Sequence, residues 1–226
     1  MSFHFESTSD YFKSVLSVVT LIKFAREGGE GNNEENRILF LKLCIVSMVT
    51  KFQVFIENVL EEFLFNFRDS KITNIDVSLC MRLNSLRLIA LDYDLTKKLT
   101  DVTQYDIDKF EEVRKHLYVM YDLCDDQKEI NREFLFDCDF PIGKTGVNEL
   151  IRLFKQLEGK NIFESPGIDL EKLNSILNLR HNIVHQDANP QLTETTVEKY
   201  KVYLDSIVTF IDEHLYNFIE YGKFHP

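Results

Sequence analysis

Four polar residues lie together near the C-terminal end of the sequence: Arg180, His181, Asn182 and His185. They follow a run of leucines and isoleucines at helical spacing, so they end an otherwise apolar helical stripe. A guanidinium, an imidazole that titrates near neutral pH and an amide are costly to bury and unnecessary for a core. This segment is therefore the first candidate for function.

Arg180 and His185 together have the chemistry to act on a phosphodiester. An arginine holds the scissile phosphate through two parallel N–H donors and stabilises its growing charge. A histidine exchanges a proton with the ribose 2′-hydroxyl or the 5′-leaving oxygen, and this chemistry needs no metal. Residues five apart on a helix are separated by about 7.5 Å of rise and about 140° of rotation. The two side chains can reach one phosphate more easily if the helix ends near His185, or if a second copy of the helix packs across a two-fold axis.

His181 and His185 suggest a second chemistry, because an i,i+4 pair places two imidazoles on one helical face at metal-binding spacing. A zinc site needs a third ligand. In the HExxH arrangement a glutamate follows the first histidine, whereas this sequence has Asn182 there. A catalytic zinc site is therefore not expected, and no metal or cofactor is predicted.

A third interpretation is structural. Asn182 and His185 would cap a helix C-terminus, where a histidine cation interacts favourably with the helix dipole. Arg180 would pair with one of the many surface carboxylates. This interpretation explains each residue separately, but it does not explain why the four are concentrated in one segment.

The rest of the sequence predicts a helical scaffold. Only eight glycines and four prolines interrupt the 226 residues, and the stretches between them show helical rather than alternating apolar spacing. The fold class is therefore predicted to be all-α. The predicted helices cover residues 9–26, 35–68, 76–98, 106–121, 147–157 and 169–185, and a final helix follows Thr193, whose hydroxyl suits a cap. The second helix is the longest, and we expect it to be the central helix of a bundle.

The organisation of the chain predicts a single domain over residues 1–226. No internal repeat and no proline-rich linker divides it, and a 44% hydrophobic, 12% aromatic composition is ample for an independent core. We expect residues 76–145 to be a helical insertion or elaboration. Residues 168–220 would form the motif helix, a loop and the final helix.

Several features predict a soluble, cytoplasmic protein that does not enter a membrane. The apolar run Leu39–Val49 is interrupted by Lys42 and is shorter than the roughly 20 apolar residues of a membrane-spanning helix. The first residues carry neither the basic nor the apolar region of a secretory signal. The four cysteines are Cys44, Cys80, Cys124 and Cys138, and they form no CxxC pair. Three of the four sit among apolar or helical residues, which is typical of buried thiols in a reducing compartment.

The segment 179–185, Leu-Arg-His-Asn-Ile-Val-His, resembles the signature of HEPN domains, in which an arginine is followed by a polar residue and then by a histidine four to six positions beyond the arginine. The leucine-spaced approach from Leu170 and the final amphipathic helix resemble the C-terminal half of that fold. In the second helix, Glu57 interrupts an aromatic-rich stripe, as in the HEPN helix that packs beside the motif and contributes a carboxylate. The resemblance covers the second helix and residues from Gly146 onward.

This resemblance implies a metal-independent endoribonuclease that works as a homodimer with its motifs facing each other, commonly in toxin–antitoxin or phage-defence systems. Arg180 and His185 would be the catalytic pair and His181 the polar residue of the motif. Asn182 would be a supporting donor, and Glu57 would orient Arg180 or His185. The partners implied are RNA, a second copy of the chain and an antitoxin protein. The alternative is a non-catalytic HEPN-like module for dimerisation, nucleotide binding or partner binding.

The charge of the chain opposes a role in RNA cleavage. A formal net charge of −11 repels a polyanion, so non-specific RNA affinity should be weak. A nuclease would need a local basic rim. The candidates for that rim are Arg68, Lys71, Arg82, Arg87, Lys144, Arg152, Lys155 and Lys160.

Overall fold

The fold is built from α-helices, as the sequence predicts. A computed structural model describes residues 3–27, 34–69, 72–92, 107–130, 133–141, 146–186 and 190–221. The helices in these ranges are α1 (Glu6–Ser14), α2 (Leu16–Glu27), α3 (Glu34–Asp69), α4 (Leu79–Asp92), α5 (Ile107–Cys124), α6 (Gly146–Glu158), α7 (Leu170–Gln186) and α8 (Glu194–Tyr221). Short 3₁₀ turns cover Asn74–Asp76 and Ile162–Glu164. These ranges contain no β-strand, only an isolated bridge between Thr73 and Glu129.

Most helix boundaries agree with the apolar spacing of the sequence. The longest helix, α3, extends one residue beyond the predicted 35–68 at each end, and α5 to α8 lie at their predicted positions. Thr193 caps α8 by accepting a hydrogen bond from the backbone N–H of Thr196, at 3.2 Å. Of the predicted third helix, α4 covers the part from Leu79 to Asp92. Residues 93–98 lie outside the described residues.

The predicted first helix over residues 9–26 is wrong in one respect, because it is two helices, α1 and α2, that meet at Val15. The N–H of Val18 bonds to the carbonyl of Val15 at 3.0 Å, which tightens the turn. The hydroxyls of Ser14 and Ser17 donate to the carbonyls of Tyr11 and Ser14. Such local side-chain bonds compete with the regular helical ladder and bend or break it.

The chain divides into two compact units. The first consists of Met1–Glu62, Cys138–Arg152 and Ile162–Tyr216, and the second of Phe63–Asp137, Leu153–Asn161 and Asn217–Pro226. Most of the expected elaboration over residues 76–145 belongs to the second unit. The single domain over residues 1–226 stays a prediction.

The core of the first unit is lined by one face of α3. Its residues at three-or-four spacing are almost completely buried: Leu41, Ile45, Met48, Phe52, Phe55 and Val59. An 18-residue window of α3 has a mean hydropathy of 1.8, so this helix is long and apolar enough to cross a membrane by length and composition. The central helix of a protein core passes the same test. In the structure, 39% of that window is buried.

The core of the second unit contains a cluster of aromatic rings. Phe67 lies at its centre, with ring centroids 5.6 Å from those of Phe63, Phe134 and Phe218. The amide of Asn74 donates to the carbonyls of Asp122 and Asp125, each at 2.8 Å, and so satisfies acceptors at the end of α5. Gly159 ends α6 at a φ of 81°, with its N–H bonded to the carbonyl of Lys155.

The start of α1 is held by two carboxylates from other helices. Asp212 of α8 is 2% exposed and accepts the backbone N–H groups of His4 and Phe5, both at 3.1 Å. Glu62 of α3 accepts the N–H groups of Glu6 and Ser7, at 2.8 and 2.9 Å. The first N–H groups of a helix have no partner within it, so these carboxylates replace a side-chain cap.

We expect Asp212→Ala to lower the free energy of unfolding by about 1–3 kcal/mol, because the buried N–H of Phe5 and the partly buried N–H of His4 lose a charged acceptor. Chemical denaturation measures the loss. The matched control is Glu213→Ala, since Glu213 is the adjacent and exposed acid of α8. Equal unfolding midpoints for the two variants would contradict the anchoring role of Asp212.

The four cysteines differ in exposure, which corrects the expectation of buried thiols. Only Cys44 is buried, whereas Cys80 and Cys124 are exposed and Cys138 is partly exposed. The helical periods that suggested burial place Cys80 and Cys124 on the outer faces of α4 and α5. Burial raises the pKa of the Cys44 thiol to about 12.

Brief alkylation at pH 8 should therefore modify Cys80 and Cys124 and leave Cys44 unmodified, because the reactive species is the thiolate. Mass spectrometry of proteolytic fragments reads out each site. Alkylation in denaturant is the control and should modify all four cysteines. Labelling of Cys44 in the folded protein as fast as Cys80 would contradict its burial.

Candidate active site

The start of α7, the helix that carries the polar segment, is fixed by hydrogen bonds. Asp169 caps it by accepting the N–H of Lys172 at 2.9 Å. The hydroxyl of Tyr203 on α8 accepts the N–H of Asp169 at 2.9 Å and donates to its carbonyl at 2.6 Å. Because one hydroxyl satisfies both backbone groups of the cap residue, the position of α7 against α8 is fixed at this end.

The start of α8, which follows the polar segment in the chain, is held by ion pairs. Arg37 of α3 contacts Glu194 through two parallel bonds, Nε to Oε1 at 2.7 Å and Nη2 to Oε2 at 3.0 Å. Arg26 of α2 contacts Glu198 at 2.6 Å. Hydrogen bonding from Arg37 holds the pKa of the Glu194 carboxyl below its usual range. The two helices next to the polar segment are thus anchored independently of it.

The middle of α7 is packed against the first residue of α6. Leu173, Ile176 and Leu177 form the buried face of α7. A Cβ atom on Gly146 would lie 2.9 Å from the Cδ1 atom of Leu177. A side chain at position 146 would therefore require the buried Leu177 side chain to shift, one helical turn before Arg180.

Arg180 lies where α7 leaves the core, and its side chain is partly buried. Its Nε atom is buried and has no hydrogen-bond partner among the described residues. A buried donor without an acceptor costs roughly 1–3 kcal/mol, so an acceptor placed there would be bound favourably. The Nε–H and one terminal N–H of a guanidinium together form the fork that binds a phosphate or carboxylate through two parallel bonds.

The structure brings His181 and His185 together. Their ring centroids are 4.7 Å apart, with 43° between the ring planes. His181 is partly buried, whereas Val184, His185 and Gln186 are exposed at the end of α7. No hydrogen bond or ion pair joins Arg180 to His185 within the part of the chain that the structure describes, as their rotation of about 140° around one helix implies.

The structural interpretation of the segment does not account for Arg180 and Asn182. Helix α7 continues to Gln186, so Asn182 lies a full turn before its end and is not a cap residue. Arg180 forms no ion pair with a described carboxylate. His185 does lie in the last turn, where its cation would interact favourably with the helix dipole.

Among the described residues, Glu57 of α3 has two hydrogen-bond partners, both through Oε1. It accepts the side-chain amide of Gln53 at 3.0 Å and the backbone N–H of Phe140 at 3.3 Å. Among the described residues, neither Arg180 nor His185 is bonded to it. The described contacts of Glu57 therefore hold the segment around Phe140 against α3. A role of Glu57 in orienting Arg180 or His185 stays a prediction.

The candidates for a basic rim are largely occupied by structural contacts. Arg68 donates two hydrogen bonds to the carbonyl of Phe134. Arg82 donates to the carbonyl of Leu123 and pairs with Asp126 at 2.8 Å. Other rim candidates have acidic or amide partners, since Arg152 pairs with Glu149 and Arg87 donates to Asn84. Lys155 and Lys160 are exposed, and Lys71 and Lys144 lie outside the described residues.

The positioning role of three residues was not identified from the sequence. Asp169 follows the Ser165-Pro166-Gly167 break and precedes an apolar helix, so its capping role was readable from the sequence. Gly146 was readable only as part of a turn. Tyr203 carries no signal for its role, because its partner is the backbone of a residue 34 positions away.

These features define an all-α protein in which an arginine and a histidine lie on the last turns of the penultimate described helix. The model of the RiboL-PSP-HEPN family matches residues 9–217, so the chain belongs to the HEPN family. The match is wider than the second helix and the residues from Gly146 onward that carried the resemblance. Comparisons with curated proteins and with solved structures gave no match.

Gly146→Val should lower the free energy of unfolding by about 1–3 kcal/mol, because its side chain would overpack the buried Leu177. Asn148→Val is the matched control, since it adds the same β-branched residue at an exposed position of α6. Denaturant unfolding compares the two variants. If both unfold at the same midpoint, the close approach of α6 to α7 is not needed for stability.

Proposed function

We propose that this protein is a metal-independent endoribonuclease of the HEPN type, a toxin or phage-defence effector that cleaves RNA at a homodimer interface. Membership of the HEPN family supports the class of activity. The observation that carries the proposal is the buried Nε donor of Arg180, which has no partner among the described residues and lies five positions before an exposed histidine.

In the proposed reaction, the guanidinium of Arg180 binds the non-bridging oxygens of the scissile phosphate through parallel N–H donors. His185 accepts the proton of the ribose 2′-hydroxyl as the 2′-oxygen attacks phosphorus. The bond to the 5′-oxygen breaks, and that oxygen takes a proton from solvent while the His185 imidazolium returns its proton to solvent. The products are a 2′,3′-cyclic phosphate and a 5′-hydroxyl, and Arg180 stabilises the charge that develops on phosphorus.

The proposed dimer follows from the geometry of one helix. Arg180 and His185 point about 140° apart around α7, so a single helix does not converge them on one phosphate without a long reach. Two copies related by a two-fold axis place the arginine of one beside the histidine of the other. The exposed end of α7, at Val184 to Gln186, leaves this surface accessible.

The charge of the protein guides the choice of partners and location. With a net charge of −11 and several arginines engaged in structural contacts, the chain should attract free RNA weakly. This suits an effector that meets RNA on the ribosome and an antitoxin with a basic binding surface. We place the protein in the cytoplasm, where both partners would be found.

Purified protein incubated with single-stranded RNA in excess chelator should produce fragments with 5′-hydroxyl ends. Loss of the acid–base residue in His185→Ala should slow cleavage by about 10²–10⁴-fold. Arg180→Ala should slow it by about 10²–10³-fold, as the loss of a charge-stabilising donor does. Asn174→Ala, an exposed polar position on the same helix, is the matched control and should cleave normally. Cleavage that persists in both active-site variants would contradict the assignment.

Mixing the two inactive variants tests the dimer. If each site takes Arg180 from one copy and His185 from the other, an Arg180→Ala and His185→Ala heterodimer contains one intact site, and mixing restores part of the activity. Sedimentation confirms the oligomeric state. If the mixture is as inactive as the two separate variants, Arg180 and His185 act from the same chain and the shared site is contradicted.

A non-catalytic binding module is the competing function, and the acidic net charge favours it. Such a module would leave RNA intact with or without metal. It would still dimerise, or bind a nucleotide or protein, through the surface at the end of α7. Normal binding of that partner by Arg180→Ala and His185→Ala would separate this function from the nuclease.

A further inference from the structure

A groove lies between the first turn of α7 and the N-terminal half of α8. Its volume is about 390 Å³. Its lining includes Lys172 from α7 and Thr195, Glu198, Lys199, Val202 and Tyr203 from α8. All of these residues belong to the first compact unit, which also contains the polar segment of α7. We call this feature the α7–α8 groove.

The lining of the α7–α8 groove carries unbalanced positive charge. The ammonium of Lys172 lies 4.4 Å from the centre of the Tyr203 ring, and this cation–π contact holds it over the groove. Lys199 is exposed, and neither lysine forms an ion pair with a carboxylate among the described residues. Glu198 is the one acidic side chain of the lining, and it is already paired with Arg26 at 2.6 Å. The groove is therefore suited to an anion, although the chain has a net charge of −11.

The acids beside the α7–α8 groove do not cancel this charge. Asp205 is paired with Lys201 at 2.7 Å, and Glu194 with Arg37. Glu171 is exposed, but it precedes Lys172 by one position and so points about 100° away around α7. The positive charge of the two lysines thus remains available to a ligand in the groove.

The α7–α8 groove lies on the helix that carries the candidate active site. Lys172 and Arg180 are eight positions apart, which corresponds to about 12 Å of rise and about 80° of rotation, less than a quarter turn. The Nε–H of Arg180 is the buried donor that has no partner among the described residues. An extended nucleic acid strand with one phosphate at Arg180 needs only a few further nucleotides to reach Lys172.

We propose that the α7–α8 groove binds the phosphate backbone of single-stranded RNA beside the phosphate that Arg180 holds. Lys172 and Lys199 each contact a phosphate, and the hydroxyl of Thr195 donates to the same backbone. Val202, whose side chain is exposed, contacts the ribose. Contacts of this kind position a strand without reading its base sequence.

This inference rests on the proposed nuclease function, because it names the binding surface for that substrate. It also answers the difficulty that the acidic net charge poses. Neither Lys172 nor Lys199 is among the candidates for a basic rim that the sequence suggested. Two lysines in one groove give a small local binding surface, so RNA affinity should be modest and strongly dependent on salt.

The salt dependence of RNA binding tests the groove. The probe is a fluorescent single-stranded 2′-O-methyl RNA, which has no 2′-hydroxyl to attack and therefore stays intact, and anisotropy gives its affinity at several salt concentrations. The double variant Lys172→Gln and Lys199→Gln should bind more weakly. The slope of the logarithm of its association constant against that of salt concentration should be shallower by about 1.4, because each phosphate contact on a single strand contributes about 0.7.

The matched control is the double variant Lys23→Gln and Lys115→Gln, which removes the same charge from exposed positions of α2 and α5. Its slope should equal that of the parent protein. Equal unfolding midpoints of the parent and the groove variant would show that a shallower slope comes from lost contacts. A groove variant with the slope of the parent, or two double variants with equal slopes, would overturn the proposal.

Cleavage kinetics on unmodified RNA in excess chelator separate binding from chemistry. The groove variant should raise KM and leave kcat unchanged, because contacts away from the reacting atoms hold substrate and transition state equally. Cleavage with the KM of the parent would support the nuclease and overturn the groove. Groove-dependent binding of the 2′-O-methyl RNA by a protein that cleaves no RNA would support the groove and overturn the nuclease.

Discussion

Helix α7 is held at its start and along its buried face, whereas its C-terminal end is exposed. The position of the candidate site depends on this arrangement. The Tyr203 hydroxyl bonds to both backbone groups of Asp169 and fixes where the helix begins. The contact of Gly146 with Leu177 fixes how closely α6 can lie beside its buried face. Beyond Leu177 the helix leaves the core, and its polar residues occupy the last turns. A rigid helix transmits the position of its anchored half to its exposed end, so Arg180 and His185 are placed without bonding to each other.

Much of the fold could be predicted because helical apolar spacing is a local signal. It gave α3 to within one residue at each end and placed the helix that carries the motif. The interruption at Val15 could not be predicted, since it depends on serine hydroxyls bonding to nearby carbonyls. In the candidate site, His181 and His185 are four residues apart on one helix. The contact of their rings could be predicted from this spacing. The partner of Glu57 was not predictable, because Phe140 lies 83 positions away in an irregular segment.

Several of the acidic side chains stabilise the fold by accepting hydrogen bonds inside the protein. Asp212 and Glu62 accept backbone N–H groups at the start of α1, Asp169 caps α7, and Glu194 binds Arg37. Carboxylates are strong acceptors for the unpaired N–H groups at helix starts. Most of the described residues are helical, so such starts are frequent among them. Part of the negative charge therefore stabilises the scaffold and is not available to a partner.

The bond between His4 and Asp212 joins residues 208 positions apart. During synthesis the ribosome releases the chain from its N-terminus, so α1 emerges long before the helix that supplies Asp212. Contacts this distant in sequence form late, because the intervening loop must close first. The bonds that Asp212 makes to the start of α1 therefore form only after α8 has been synthesised.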